Sequence, residues 1–230
     1  MKSFLNKYKH SRVLLYFFIY MTWFLALESS TSRKHTSIHI KLDNYIPFNE
    51  WFVIPYLLWF AYVAITVVYF LFKSKEEFYS YTAFLFVGMT ICLIIYTLWP
   101  NMQNLRPDLS SLGKDNILIR LISNIYAADT PTNVCPSIHA YNSIGTHIAI
   151  SKNSKLGSNK LIKFSSLVLC VSICLSTMFI KQHSAFDTLC SLALAIIMYL
   201  LVYSLSERKA TTEVPADAIK EKSFANFSSN

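Results

Sequence analysis

The sequence predicts an all-α membrane protein: six transmembrane helices in one bundle, with a short interfacial helix between the third and the fourth. Three observations predict it. The chain of 230 residues is 53% hydrophobic and only 15% charged, too apolar for an ordinary soluble domain. Its charges cluster between apolar runs, several of which are long enough to cross a hydrocarbon core about 30 Å thick. Trp51, Tyr79 and Trp99 stand at the ends of such runs, where an amphipathic ring suits the water–lipid boundary.

The first span covers about Val13 to Leu27 and follows Lys2, Lys7, Lys9 and Arg12. It lacks a clear small-residue cleavage site, so it reads as an uncleaved anchor rather than a secretory signal. The second, Trp51 to Phe72, has Thr66 as its only clearly polar member. The third runs from Tyr79 to Trp99, the fifth from Leu161 to Ile180, and the sixth from Phe186 to Ser206.

The fourth, Pro136 to about Leu156, is different. It carries Ser137, His139, Asn142, Ser143, Thr146 and His147, so hydropathy alone misses it. A helix this polar can cross a bilayer only when buried among others or lining a wet cavity. Pro136 suits a first helical turn and Gly157 a helix end. Between the third and fourth spans, Ile117, Leu118, Leu121, Ile122, Ile125 and Tyr126 share one helical face. That pattern predicts a short helix lying on the membrane surface, with a soluble roof over a cavity as the competing arrangement. The chain thus divides into an anchor helix and outer loop (1–50), a transmembrane core (51–206) and a polar, disordered cytoplasmic tail (207–230).

The net charge of +8 comes without a basic stripe or nucleic-acid motif, so no nucleic-acid partner is expected. The basic residues orient the chain instead. With a cytoplasmic N-terminus, Lys73, Lys75, Lys152, Lys155, Lys160, Lys163, Arg208 and Lys209 join the four N-terminal cations inside. Arg33, Lys34, Lys41, Arg106, Lys114, Arg120 and Lys181 form the shorter list outside. Both termini are then cytoplasmic, in a multi-pass protein of the plasma membrane. Cys92, Cys135, Cys170, Cys174 and Cys190 show no zinc or disulfide spacing. A cysteine phosphatase built on Cys135 would want an arginine where Tyr141 stands.

Chemistry concentrates at the outer ends of the spans. Pro136, Ser137, Ile138 and His139 open a helix whose free N–H groups can bind an anion, with the Ser137 hydroxyl added and His139 as proton donor. His183 and Asp187, four residues apart, share a helical face, so the carboxylate can fix one ring nitrogen and free the other to attack. Arg106 is a natural bidentate phosphate ligand. Each has a plainer reading: a packed histidine at a polar helix start, a chance His–Asp pair, a solvated arginine. His147 falls on another face, and His10, His35 and His39 read as loop residues. No second carboxylate or cysteine set supports a metal at His139, His183 and Asp187, so neither metal nor cofactor is expected.

With these residues the chain resembles the phosphatidic acid phosphatase type 2 family. Its pattern is Lys-x6-Arg-Pro, then Pro-Ser-x-His, then Ser-Arg-x5-His-x3-Asp. Arg106 with Pro107, the Pro136–His139 tetrapeptide, and Ser176 with His183 and Asp187 match it, within about Tyr79 to Ser206. Trp99 stands where that family has its lysine and Thr177 where it has its second arginine; Lys181, and more weakly Arg120, could restore a positive charge. The stretch from Ser176 to His183, with Asp129, Pro131 and Asn133, looks like the branch that includes inositol phosphorylceramide synthases.

The resemblance implies a membrane phosphoric monoester hydrolase acting on lipid phosphates without metal. His183 would be the nucleophile forming a phosphohistidine, Asp187 its orienting acid and His139 the proton carrier. Arg106, Ser137 and Lys181 would hold the phosphate. A headgroup phosphotransferase is the alternative within the same resemblance. A proton-relay transporter and a lipid-binding member without turnover are the remaining readings.

Overall fold

The computed structural model describes residues 8–30 and 33–204. The predicted tail at 207–230 lies outside them. Among the described residues, five helices are long and apolar enough to cross a membrane, the pattern of a multi-pass membrane protein: α1 (Lys9–Glu28), α2 (Glu50–Lys73), α3 (Lys75–Leu98), α7 (Lys160–Phe179) and α8 (Ala185–Ser204). Between them lie α4 (Ile117–Ala128), α5 (Ile138–Lys152) and α6 (Ser154–Ser158). Large apolar side chains face outward on the long helices, among them Phe18, Phe60, Ile65, Phe164, Leu189 and Ile197.

The polar helix α5 sits at the centre and packs against α2, α3, α7 and α8. Burial requires its polar groups to be paired. The Thr146 hydroxyl lies 2.7 Å from that of Tyr81. Ser143 donates to the His139 carbonyl at 2.7 Å, and His147 Nδ1 meets the Ser166 hydroxyl at 3.0 Å. His147 therefore has a structural place. At 15 residues α5 is shorter and more polar than the five long helices. Its surroundings, rather than its hydropathy, make it tolerable there.

Small residues let α3 and α5 approach closely. A Cβ on Gly88 would lie 2.0 Å from Tyr141 Cζ, and one on Gly145 would lie 2.3 Å from Phe84 Cε1. The Phe84 and Tyr141 rings stack between them, 5.0 Å apart, and the Tyr141 hydroxyl donates to the Phe84 carbonyl at 2.7 Å. Gly88→Ala must displace a fully buried ring, and a loss of about 1–3 kcal/mol is expected. Thermal unfolding in detergent checks it; a variant that melts with the wild type would contradict the close approach.

Three features depart from the sequence expectations. His10 is buried, not a loop residue, and its Nε2 donates to the Leu71 carbonyl at 2.9 Å. A two-residue parallel pair, β1 (Thr36–Ser37) and β2 (Asn101–Met102), ties the loop after α1 to the loop after α3. Helix α4 turns its apolar face onto protein. Ile122 is buried with Val53, Tyr56 and Ile180, and Leu118, Leu121, Ile125 and Tyr126 pack against them. The face is rotated from the expected one, with Ile119 buried and Ile117 exposed. This is the roof arrangement over one end of the bundle.

Candidate active site

That same end gathers the C-terminal ends of α1, α3 and α7 and the N-terminal ends of α2, α5 and α8. Asn101, fully buried, organises the entry to α5. Its Oδ1 accepts the Val134 and Cys135 N–H groups at 2.8 Å each, and its Nδ2 donates to the Cys135 carbonyl at 3.1 Å. Tyr96 donates its hydroxyl to the Pro136 carbonyl. Ser137 caps α5 by accepting the Ala140 N–H at 3.4 Å. Its own N–H donates to the Asp187 carbonyl at 3.3 Å, and Ser191 bridges the Ser137 and Asp187 carbonyls. Ser137 therefore joins α5 to α8. Of the N–H groups at this helix start, that of Ser137 is taken by the Asp187 carbonyl.

The turn from α7 to α8 carries His183. Gln182 and His183 both donate their N–H groups to the Thr177 carbonyl at 2.9 Å, while Lys181 takes a left-handed conformation (φ 57°). Gln103 holds the Lys181 carbonyl at 2.9 Å, and the Tyr126 hydroxyl holds that of Ile180 at 2.6 Å. At the start of α8, Asp187 Oδ2 accepts the Ser184 N–H at 2.9 Å. The same oxygen lies 3.4 Å from His183 Nδ1. The contact is an approach rather than a formed hydrogen bond, since Nδ1 and Asp187 Oδ1 have no partner of their own. Nδ1 is therefore the ring nitrogen that faces the carboxylate.

Asp43, from the loop before α2, braces this start. Its Oδ2 accepts the Ser184 hydroxyl at 2.7 Å and its Oδ1 the Ala185 N–H at 2.8 Å.

The imidazoles of His139 and His183 stand 5.8 Å apart, centroid to centroid, with their planes inclined at 58°. Tyr56 and Trp59 of α2 flank the His139 ring at 4.7 and 4.4 Å. Arg106 lies over the Tyr126 ring at 4.4 Å. It donates to the Tyr126 carbonyl at 3.2 Å, the Asp129 carbonyl at 2.8 Å and Gln182 Oε1. Its Nε is buried without a partner. Burial draws its pKa down, opposed by the Asp129 charge.

The other expected cations are elsewhere. Lys181 sends its ammonium to the carbonyls of Asp43 (3.2 Å) and Ile46, because its left-handed backbone turns the side chain into that loop. Arg120 pairs with Asp115 at 3.0 Å, with both side chains well exposed. Trp99 bonds Thr36 at 3.2 Å, and the Thr177 hydroxyl turns back to the Cys174 carbonyl at 2.8 Å.

Asp129 also belongs to this cluster, although no role for it was legible along the chain. Burial pushes its carboxyl up to about 6, the Glu28 charge adds to the rise, and His183, Arg106 and a Tyr56 hydrogen bond oppose it. The folded state thus favours the protonated acid. That stabilisation is complete below the ordinary value of 3.8 and is lost as pH rises through about 6. The shift corresponds to about 3 kcal/mol. Asp129→Asn, neutral throughout, is expected to melt higher than the wild type at pH 7 and to converge with it near the ordinary aspartate pKa. Parallel melting curves across that window would contradict the assignment.

The long apolar helices define a class, a multi-pass membrane protein, and one end of its bundle gathers two histidines, an arginine and two aspartates. Residues 102–210 match the model of the PAP2 superfamily. No curated protein and no solved structure matches the chain. The matched segment holds Arg106, His139, His183 and Asp187; Glu28, Asp43, Tyr56 and Trp59 come from outside it.

Proposed function

We propose that this protein is an integral membrane phosphatase or phosphotransferase that acts on a lipid phosphate through a phosphohistidine at His183, without a metal. The observation that carries the reading is the neighbouring pair of imidazoles, with Asp187 behind His183 and Arg106 bonded to Gln182, the residue before it. The match to the PAP2 superfamily agrees with this class of activity.

In this reading Nε2 of His183 attacks phosphorus while Asp187 holds Nδ1 and stabilises the developing imidazolium. His139 gives a proton to the leaving oxygen and takes one from the incoming acceptor. Arg106 supplies charge to the phosphoryl oxygens, with its unpartnered Nε the donor still available. Helix α5 is the sixth span, the site faces the extracytoplasmic side of the plasma membrane, and both termini are cytoplasmic. The excess of lysine and arginine at the opposite end of the bundle supports that orientation.

The test is turnover by the purified chain in detergent against a panel of phospholipid esters, with chelator present and radiolabelled phosphorus as the tracer. Vanadate-sensitive turnover and an acid-labile, base-stable label on the protein are expected. Label that is absent from a turning-over enzyme, or turnover that chelator stops, would end the phosphohistidine reading.

A further inference from the structure

The two imidazoles are partnered in different ways. His183 has a carboxylate behind it, with Asp187 Oδ2 at 3.4 Å from Nδ1. Among the described residues, the ring of His139 has no hydrogen bond and no ion pair. Its neighbours are other rings: Trp59 at 4.4 Å, Tyr56 at 4.7 Å and His183 at 5.8 Å, centroid to centroid. A proton carrier spends part of each cycle as a cation, and this one has no anion against it.

The surroundings do not supply that anion from elsewhere. His139 lies in the first turn of α5, near the positive end of the helix dipole. The α7–α8 turn presents His183, and α8 presents Asp187 on the far side of that ring. Helix α2 presents Tyr56, whose hydroxyl bonds Asp129 of the loop before α5. Arg106, from the loop after α3, is turned to Tyr126, Asp129 and Gln182, and Tyr96 of α3 to the Pro136 carbonyl.

Helix α2 takes the place of a carboxylate. Tyr56 and Trp59 are three residues apart, about one turn, so both rings reach the same neighbour. Each centroid is well within the 6 Å or so at which a cation is drawn to an aromatic face, and an indole offers the strongest such face. Packing alone does not account for the tryptophan. Its Nε1 is buried without a partner, a cost that a leucine there would avoid. Neither ring lies in the segment that matches the superfamily model.

We infer that Trp59 and Tyr56 are positioning residues for His139: their rings hold its imidazole and stabilise the charged form, so that it carries a proton without a carboxylate of its own. The division between the two histidines has a chemical reason. A carboxylate is a strong hydrogen-bond acceptor and would compete with the leaving oxygen for the proton. An aromatic face attracts the cation and leaves its N–H free. The inference rests on the proton-carrier role proposed above for His139.

The full chain in detergent, carbon-13 labelled at histidine, gives a readout that needs no turnover. It is the pH at which the His139 ring signal titrates, the signal being identified by its loss in His139→Ala. Trp59→Leu is expected to lower that midpoint by about half to one pH unit, and Trp59→Phe, which keeps a weaker face, by less. Turnover gives the second readout. Trp59→Leu should cut kcat on alkyl phosphate esters by about three- to tenfold and leave nitrophenyl esters, whose leaving group departs without a proton, nearly unchanged. Fluorinated tryptophan keeps the ring's shape and draws electron density from its face. Protein made with it should shift in both readouts as Trp59→Leu does, and the same labelling in a Trp59→Phe background should shift neither. A midpoint that stays in place in both Trp59→Leu and the fluorinated protein, or equal losses on the two esters, would overturn the inference. If the midpoint falls in a chain that turns over neither ester, the phosphohistidine reading fails and the role of the two rings stands. If the midpoint holds while both esters turn over, the inference fails and the phosphohistidine reading stands. Should Trp59→Leu not fold, the fluorinated protein decides.

Discussion

His183→Ala is expected to abolish turnover, a loss of about four orders of magnitude or more, with the fold intact. The ring makes few contacts that hold structure: its Nδ1 has no hydrogen-bond partner, and the turn around it is built from backbone groups bonded to Thr177, Gln103 and Tyr126. Loss of activity with an unchanged melting temperature would therefore report chemistry. His139→Ala should act differently. Its part is proton transfer, worth about 10²–10⁴ for an alkoxide leaving group and far less for a nitrophenolate, which departs without a proton. Parallel rates on alkyl and nitrophenyl esters distinguish the two roles. A His183→Ala protein that still turns over at a measurable fraction of the wild-type rate would remove the nucleophile assignment, and equal losses on both esters in His139→Ala would remove the proton carrier.

Asp43→Ala is expected to give the largest loss of stability among single substitutions near the site. The buried carboxylate accepts from the Ile40 N–H at 2.9 Å, the Ser184 hydroxyl and the Ala185 N–H, and it sits at the positive end of α8. Its removal strands those donors and leaves the Lys181 ammonium, also buried, without the neighbouring negative charge. Breaking one side of a buried charge arrangement costs about 3–5 kcal/mol. For a chain of this size that lowers the melting temperature by about 10 °C. The kcat should fall as well, because the start of α8 fixes the distance from Asp187 to His183. Asp43→Asn keeps one acceptor oxygen and should fall between the two. Calorimetry or dye-monitored melting in detergent, with kcat measured well below the transition, checks both effects. A wild-type melting temperature for Asp43→Ala would show that the loop before α2 does not brace the site.

Much of the fold was legible along the chain because lipid exposure is written in local composition. The long apolar runs became α1, α2, α3, α7 and α8 within a few residues of their expected bounds. The polar stretch after Pro136 was legible as a helix that must be buried, since the hydroxyls and amides of α5 need partners. The facing of α4 was not legible. An amphipathic helix presents the same periodicity whether its apolar side meets lipid or protein, and only the exposed ends of α2 and the α7–α8 turn decide for protein. His10 went the same way: nothing in its neighbours says that the Leu71 carbonyl is within reach.

The sequence by itself determined the spans and the order of Arg106, His139, His183 and Asp187, because hydropathy and short-range helical spacing are properties of neighbouring residues. Tertiary structure alone decided the electrostatic company they keep. Lys181, two residues from His183, is turned away by a left-handed backbone, while Asp129 and Gln182 take the place beside Arg106. Asp43 reaches Ser184 across 141 positions of sequence. Coulomb energy and hydrogen bonding depend on distance in space, and no spacing along the chain records which remote carboxylate will come to rest beside a histidine.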